Sequence, residues 1–407
     1  MTSHVAHAGI GGDSKTTGDR PAHWGGVFAM TLCVFALIAS EFMPVSLLTP
    51  MARELRVSEG WVGYGIAISG AFAVLTSLAI SQLAGSLNRK TLLLGLTGLM
   101  GASGLIVALA PNYPVYMIGR ALIGVVVGGF WSLSAAVAMR LVPRHQVPRA
   151  LAIFNGGNAL ATVVAAPLGS YLGGIIGWRG AFLCLVPVAV LALVWQWVSL
   201  PSLKPTPRAS GSGHVLQLLK NPLVAFGMAA VGVFFMGQFV LFTYLRPFLE
   251  AVTHVDLPTL SMMLLVIGVA GFVGTALIGG FIRVSMYGTL AAIPRLMAVI
   301  GIALTLFGAS VPVAFVLLGL WGLVATAAPV GWWSWLAQSL PDEAEAGGGL
   351  MVAVVQLSIA LGSSQGGALF DGSGYRATFE FSAALLVVAT VMTWLTARTA
   401  GARLARA

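Results

Sequence analysis

The sequence is 407 residues long, with 21 Lys and Arg against 12 Asp and Glu; only 8% of residues are charged and 58% are hydrophobic, and the mean hydropathy is +0.94. Soluble domains carry about 25% charge, so this composition cannot cover a surface that faces water, and the class is an integral membrane protein. The 51 Gly have no triplet period, which excludes collagen, and the two cysteines, Cys33 and Cys184, sit in apolar runs as small hydrophobes rather than as a disulfide framework. The net charge of +9 is scattered in short groups between apolar segments, so it reads as a topology signal and not as a nucleic-acid surface.

In chain order, residues 1–22 are polar and charged and predict a disordered tail with no signal-peptide pattern. Gly, Pro and short charged clusters then divide the chain into twelve apolar stretches: 24–48, 60–83, 91–110, 115–139, 150–174, 180–200, 223–248, 259–282, 288–308, 312–337, 348–369 and 378–398. Each has roughly the 20 residues needed to cross a hydrocarbon core about 30 Å thick. The longest polar interruption, 201–221, separates two six-helix bundles at 23–200 and 222–399, and 400–407 forms a short tail. With both termini in the cytoplasm, fourteen bases fall inside (Lys15, Arg20, Arg89, Lys90, Arg140, Arg144, Arg149, Lys204, Arg208, Lys220, Arg283, Arg398, Arg403, Arg406) and four outside (Arg53, Arg56, Arg179, Arg376). The positive-inside rule therefore selects that orientation. The loop at 338–347 dissents, with three acids and no base, but acids weigh little in the rule.

The two halves are related. Gly169, Leu172, Gly177, Arg179 and Phe182 recur 197 positions later as Gly366, Leu369, Gly374, Arg376 and Phe379, with Trp178 replaced by Tyr375, and Pro143 is echoed by Pro341. A duplicated six-helix unit in a membrane is a mark of transporters whose halves rock about a site near the bilayer midplane.

Twelve spans, a cytoplasmic middle loop and repeated halves resemble the major facilitator superfamily. Glu41-Phe-Met-Pro44 through Pro50-Met-Ala in the first span looks like the first-helix signature of its drug and sugar proton antiporters. Gly128-Gly-Phe-Trp131, Phe242-Thr-Tyr-Leu-Arg246-Pro247 and Pro329-Val-Gly-Trp332 are similar to the bacterial purine ribonucleoside efflux pumps. Two patterns depart from the superfamily: Gly85 stands where an Asp usually precedes the bases of the loop after span 2, and the fifth-span antiporter signature survives only as Ala166-Pro167-Leu168-Gly169.

Four ionisable residues within spans are singled out, Glu41, Arg120, Arg246 and Arg295, apart from Glu380 and Arg398 at the ends of the last span; such residues are functional candidates because a charge in hydrocarbon is costly. Glu41 reads either as a proton carrier or as the structural partner of Arg120, at similar depth in span 4. Arg120, in a pattern resembling the superfamily's Arg-x-x-x-Gly, couples protonation to conformation or serves as a fixed cation. Helical spacing puts Arg120, Gly124, Val127, Trp131 and Ser134 on one face, expected to line a cavity. Gln238, Phe242 and Arg246 follow at four-residue steps in span 7 and, since the superfamily surrounds its cavity with helices 1, 4, 7 and 10, read as substrate contacts; Arg246 and Arg295 alternatively snorkel to headgroups. Trp131, Trp332 and Trp335 offer flat faces for a nucleobase or anchors at the membrane interface. Asn155, Asn158, Gln356 and Gln365 offer hydrogen bonds to a substrate or between helices. The close-set glycines read as packing surfaces, and Pro44, Pro167 and Pro329 as bends.

The resemblance implies a proton-coupled antiporter exporting purine ribonucleosides such as inosine and guanosine from the cell across its inner membrane, with a sugar or drug antiporter of the same fold as the alternative. The expected partners are a small-molecule substrate, protons and lipid, with no nucleic acid and a monomeric state. No cofactor is expected beyond the proton gradient, since no G-x-x-x-x-G-K-[ST] loop is present. No His cluster lies within a span, so an intramembrane enzyme is not expected, and an isolated acid in the membrane has no purpose in a simple receptor.

Overall fold

Every regular element of the computed structural model, which describes residues 22–83, 87–143, 146–203, 215–340 and 343–404, is helical. The tail through residue 21, Gly85, the linker bases Lys204 and Arg208, Pro341 and Arg406 lie outside the described residues. Among the described residues, ten helices are long and apolar enough to cross a membrane, and two of these, Val147–Ser199 and the helical run Ala344–Leu404, are long enough to cross twice. Each turns back at one glycine with a non-helical backbone: Gly177 at φ 75° and Gly374 at φ 80°.

Counting either side of these turns gives twelve spans. They are α1 Trp24–Leu55, α2 Glu59–Leu83, α3 Arg89–Ala108, α4 Tyr113–Arg140, α5 147–176, α6 178–199, α7 Pro222–Ala251, α8 Leu257–Val284, α9 Met286–Phe307, α10 Val311–Ser339, α11 344–373 and α12 375–404. α7 is interrupted at Thr243 and Tyr244, ahead of Pro247, and α10 at Thr326 and Ala327, ahead of Pro329. Proline offers no N–H to the carbonyl four residues earlier, so the chain loosens there. Hydrogen bonds from neighbouring helices sit at both breaks: Thr243 Oγ1 lies 3.0 Å from Ser363 Oγ, and the Thr326 carbonyl accepts from Thr275 Oγ1 at 3.2 Å.

The duplication legible in the sequence is physical. Gly177 and Gly374 are equivalent positions in the repeat, and both adopt the left-handed conformation that favours glycine. The residues after them repeat one aromatic arrangement, Trp178 on Phe182 at 6.3 Å and 86°, and Tyr375 on Phe379 at 6.2 Å and 84°. Arg179 and Arg376 then diverge. Arg179 pairs with Glu54 and donates to the Ala110 carbonyl, whereas Arg376 donates to the Tyr375 hydroxyl at 3.3 Å.

Within each half, glycines let backbones touch. A Cβ on Gly128 would meet the Ala73 carbonyl oxygen at 2.2 Å and one on Gly274 that of Leu323 at 1.8 Å, which brings α4 onto α2 and α8 onto α10. Between the halves, α2 packs on α11 and α5 on α8. These contacts cluster toward the end that carries the α1–α2, α5–α6, α7–α8 and α11–α12 turns, here called the closed end. There Asp371 of α11 accepts from the Ser58 hydroxyl and, at 3.1 Å, from the Gly60 N–H, so a carboxylate from one half caps the first turn of α2 in the other. Ser261 of α8 also bonds Ser170 of α5 at 3.2 Å. The first and last described residues, 22 and 404, lie at the opposite, terminal end.

Large exposed side chains are apolar all round the bundle, including Leu75, Leu109, Ile175, Trp197, Val284 and Leu306. A backbone satisfied within helices and dressed in such side chains has lipid as its solvent. Cys33 is buried beside Thr97 Oγ1 at 3.4 Å and Cys184 is exposed; both are free.

One test isolates the backbone turn. A Cβ on Gly177 would meet nothing within 4 Å, so Gly177→Ala carries only the conformational penalty of a positive φ with an extended ψ, about 1–3 kcal/mol. Gly101→Ala, mid-helix with its nearest neighbour at 3.7 Å, should leave stability unchanged or slightly raised. Thermal unfolding in detergent should therefore rank Gly177→Ala below the wild type and Gly101→Ala level with or above it.

Candidate functional site: a buried acid between the halves

α1 is the most deeply buried helix end to end, and it carries two internal prolines, Pro44 and Pro50. Each deprives the carbonyl four residues earlier of its helical donor. The carbonyls concerned are those of Ser40 and Ser46, and each is taken by a buried arginine. Arg120 of α4 donates from Nη1 to Ser40 O at 2.8 Å, from Nη2 to Glu41 O at 3.0 Å and from Nε to Gly65 O of α2 at 3.1 Å. Arg246 of α7 donates from Nη1 to Ser46 O and from Nε to Glu250 Oε1 at 2.8 Å. The first arginine ties α1, α2 and α4 inside one half; the second ties α1 to the other half near the closed end.

Glu41 stands between these two anchors and is 3% exposed, the only buried carboxylate among the described residues. The sequence placed Arg120 beside it, and the structure does so, but the guanidinium spends its donors on main-chain carbonyls and makes no ion pair with the acid. The carboxylate instead accepts from Gln356 Nε2 of α11, at 3.4 Å, across the interface between the halves. Gln356 is itself buried, and its Oε1 has no donor. Its main-chain oxygen lies 2.8 Å from where a Cβ on Gly70 of α2 would stand, so α2 and α11 touch at this level.

Aromatic rings meet across the same interface. Phe42 of α1 packs on Phe239 of α7 at 5.7 Å, and Phe239 meets Phe242 edge-on at 6.0 Å. Gln238, one residue from Phe239, is half-buried with an unpaired Oε1. Gln238, Phe242 and Arg246 thus share α7 with the inter-half contacts, although Arg246 is held by Glu250 and Ser46.

The tryptophans sit elsewhere. Trp131 packs edge-on against Phe154 of α5 at 6.2 Å, within the first half. Trp332 and Trp335 meet each other at 5.6 Å and 82° in the core of the second half, and a Cβ on Gly227 would collide with the Trp335 ring at 2.1 Å. The face of α4 expected to line a cavity is filled in part by helix packing, since Gly124 abuts the Ser69 carbonyl of α2 and Val127 is buried in the first-half core. Arg295 of α9 is exposed. Asn155 donates from Nδ2 to Leu151 O on its own helix, at 2.9 Å.

Phe42, Phe239 and the pairing of Gln356 with Glu41 escaped the sequence reading. Phe42 adjoins Glu41, a proximity open to notice. Nothing in the local sequence sets Gln356 apart from Asn155, Asn158 and Gln365, since its pairing joins residues 315 positions apart.

Two helical bundles that meet along α2–α11 and α5–α8, with a buried acid of one half bonded to the other, define a membrane transporter built for movement between its halves. The model of the Major Facilitator Superfamily matches residues 30–363, and the chain belongs to that family. Over 373 residues, 92% of this chain and 94% of the relative, it is 39% identical to the purine ribonucleoside efflux pump NepI of Salmonella enteritidis. Over 383 residues, 93% and 95%, it is 65% identical to a protein of Pseudomonas aeruginosa named transcription regulatory protein OpdE. Among solved structures it is similar to a bacterial homologue of the human lysosomal transporter Spinster in an inward-facing, unoccupied conformation (TM-score 0.75, 15% identity, 94% of this chain and 98% of that one). It is also similar to the human organic anion transporter MFSD10 (TETRAN) (TM-score 0.66, 16% identity, 92% and 100%). At those identities the likeness carries the fold alone.

A double-mutant cycle tests the proline–arginine pairing. Arg120→Met leaves the Ser40 carbonyl buried without a donor, at about 1–3 kcal/mol, while Pro44→Ala returns a helical N–H to that carbonyl. Unfolding should show Arg120→Met less damaging in the Pro44→Ala background than alone. Arg120→Lys should rescue poorly, because one ammonium cannot span three carbonyls on two helices.

Proposed function

We propose that the chain is a proton-coupled antiporter that exports purine ribonucleosides, inosine and guanosine among them, from the cell across its cytoplasmic membrane by alternating access. In this reading both termini are cytoplasmic and the closed end faces outward, as the distribution of basic residues favours. The cytoplasmic membrane's proton gradient is the sole energy source, and one chain suffices. The observation that carries the reading is Glu41: an acid buried at the seam between the halves, without an ionic partner, and bonded to an amide of the opposite half. Such a group is stable when it holds a proton and is free to exchange it when the seam opens to water.

Support for a neutral, flat substrate comes from the rings of Phe42, Phe239 and Phe242 and the unpaired amide oxygen of Gln238 beside them. Aromatic faces stack on a base at about 1–3 kcal/mol each, and a buried acceptor without a donor suits the N–H and O–H groups of a nucleoside. The NepI relative bears the purine ribonucleoside name, at 39% identity over nearly the whole chain. Arg120 holds α1 in register rather than meeting the proton directly. Trp131, Trp332 and Trp335 support the walls of the site from within each half. A sugar or drug antiporter of the same fold is the competing reading, and a single buried acid favours the neutral nucleoside over a cationic drug.

Uptake into inverted membrane vesicles under an imposed pH gradient decides between them, with radiolabelled inosine, arabinose and a cationic dye as substrates. Gradient-driven inosine accumulation is expected from the wild type, and Glu41→Gln should reduce it to the level of vesicles lacking the protein. Accumulation of arabinose or dye in place of inosine overturns the substrate. Undiminished accumulation by Glu41→Gln removes the acid as carrier. Transport of none of the three would favour the regulatory role in the name of the Pseudomonas relative.

A further inference from the structure

Glu41 and Gln356 form a hydrogen bond whose direction depends on the proton. An ionised carboxylate only accepts, so it can be met only by the amide's N–H. That is the arrangement observed, with Gln356 Nε2 donating to Glu41 Oε1 at 3.4 Å and Gln356 Oε1 left buried without a donor. A protonated carboxyl adds an O–H donor, and its best partner is an amide oxygen. The unpaired Oε1 belongs to the same amide, one half-turn of the terminal torsion away, and terminal torsions of this kind have broad, roughly two-fold minima.

We propose, resting on the reading of Glu41 as the proton carrier, that Gln356 is a positioning residue that reads the protonation state of Glu41 by reversing its amide. When a proton arrives from water on the Glu41 carboxylate, the new O–H bonds to Gln356 Oε1, the Nε2–H bond is released, and the amide itself gains and loses no proton. On deprotonation the sequence reverses. Because Gln356 rides on α11 and Glu41 on α1, each reversal exchanges the bond that spans the two halves at the level where the Gln356 main chain abuts Gly70 of α2. The contact across the seam thus differs between loaded and unloaded states, which is what coupling requires: a ligand shifts a conformational balance only through different interactions in the two states.

The surroundings leave this pair to itself. Arg120 from α4 is the charged group facing Glu41, with Tyr116 of the same helix beyond it. Arg120 is committed to the Ser40, Glu41 and Gly65 carbonyls, and the Tyr116 hydroxyl donates to Val62 O at 3.2 Å. From α11 the facing group is the neutral Gln356 itself, and no ion pair to Glu41 is present among the described residues.

Infrared difference spectroscopy of the full chain in lipid, on a pH jump, reads both partners. Wild-type protein carrying ¹³C at the glutamine side-chain carbonyl should show a carboxyl band that Glu41→Gln removes. With it should come a glutamine carbonyl band, displaced to lower wavenumber on acidification as Oε1 becomes an acceptor and likewise lost in Glu41→Gln. In vesicles, Gln356→Leu should lower the ratio of gradient-driven to gradient-free inosine transport to near one. Gln356→Glu, which retains length and can donate or accept, should keep driven transport but spread its pH dependence over a wider range. A carboxyl band with no glutamine response, or a Gln356→Leu ratio equal to wild type, overturns the role of Gln356 and leaves Glu41 as carrier. Absence of any carboxyl band lost in Glu41→Gln overturns the carrier itself.

Discussion

No main-chain carbonyl inside a bilayer can turn to water, so every one that loses its helical donor must find another within the protein. Most of this structure obeys the rule by unbroken helix. α1 departs from it twice, at Pro44 and Pro50, and the two carbonyls so released are where the two buried arginines attach. The prolines and the arginines explain each other: a guanidinium buried in hydrocarbon needs acceptors, and a carbonyl without a helical N–H needs a donor. The cost of each is met by the other, and α1 is fixed in depth and rotation against α4 on one side and α7 on the other.

That fixation gives Glu41 its setting. Between the two anchors its side chain reaches the seam between halves, with Arg120 near enough to matter electrostatically but occupied by the backbone. An acid locked in an ion pair would hold its charge throughout a transport cycle. An acid whose neighbouring cation is already engaged, and whose hydrogen-bond partner is a neutral amide of the opposite half, is free to change state as the halves move. The closed end adds a second element of asymmetry. Asp371 of α11 caps α2 across the seam, whereas its repeat equivalent, Gly174, faces Leu257 at the start of α8, where Asp256 caps its own helix by accepting from Thr259 N at 3.0 Å. One of the two matching seams is therefore held by a charged contact between halves and the other by packing and the neutral Ser261–Ser170 hydrogen bond.

Much of the fold was open to reading from the chain. The twelve spans match the helices observed, with the widest differences at the ends of α1 and α12, which run seven and six residues further, since a run of about 20 apolar residues has one use in a membrane. The duplication rested on Gly177, Arg179 and Phe182 against Gly374, Arg376 and Phe379, and the matching turns at the two glycines give it geometry. Side-chain roles were less legible. Periodicity put Arg120, Gly124, Val127 and Trp131 on one face, but which helix covers that face depends on α2 lying against the glycines of α4. Trp332 and Trp335 have the composition of a stacking platform and the position of a core.

Hydrophobic length, charge bias and the repeat determined by themselves that this is a two-half membrane protein with an acid in its first span, because those properties are local and additive along the chain. Tertiary structure alone decided that Arg120 serves carbonyls rather than the acid, that Arg246 crosses between halves, and that Glu41 meets Gln356. Each of those outcomes is a choice among competing partners for a few hydrogen-bond donors. In a medium without water such a choice is made by which helices are adjacent and how they are rotated, and that information resides in the packing of distant segments.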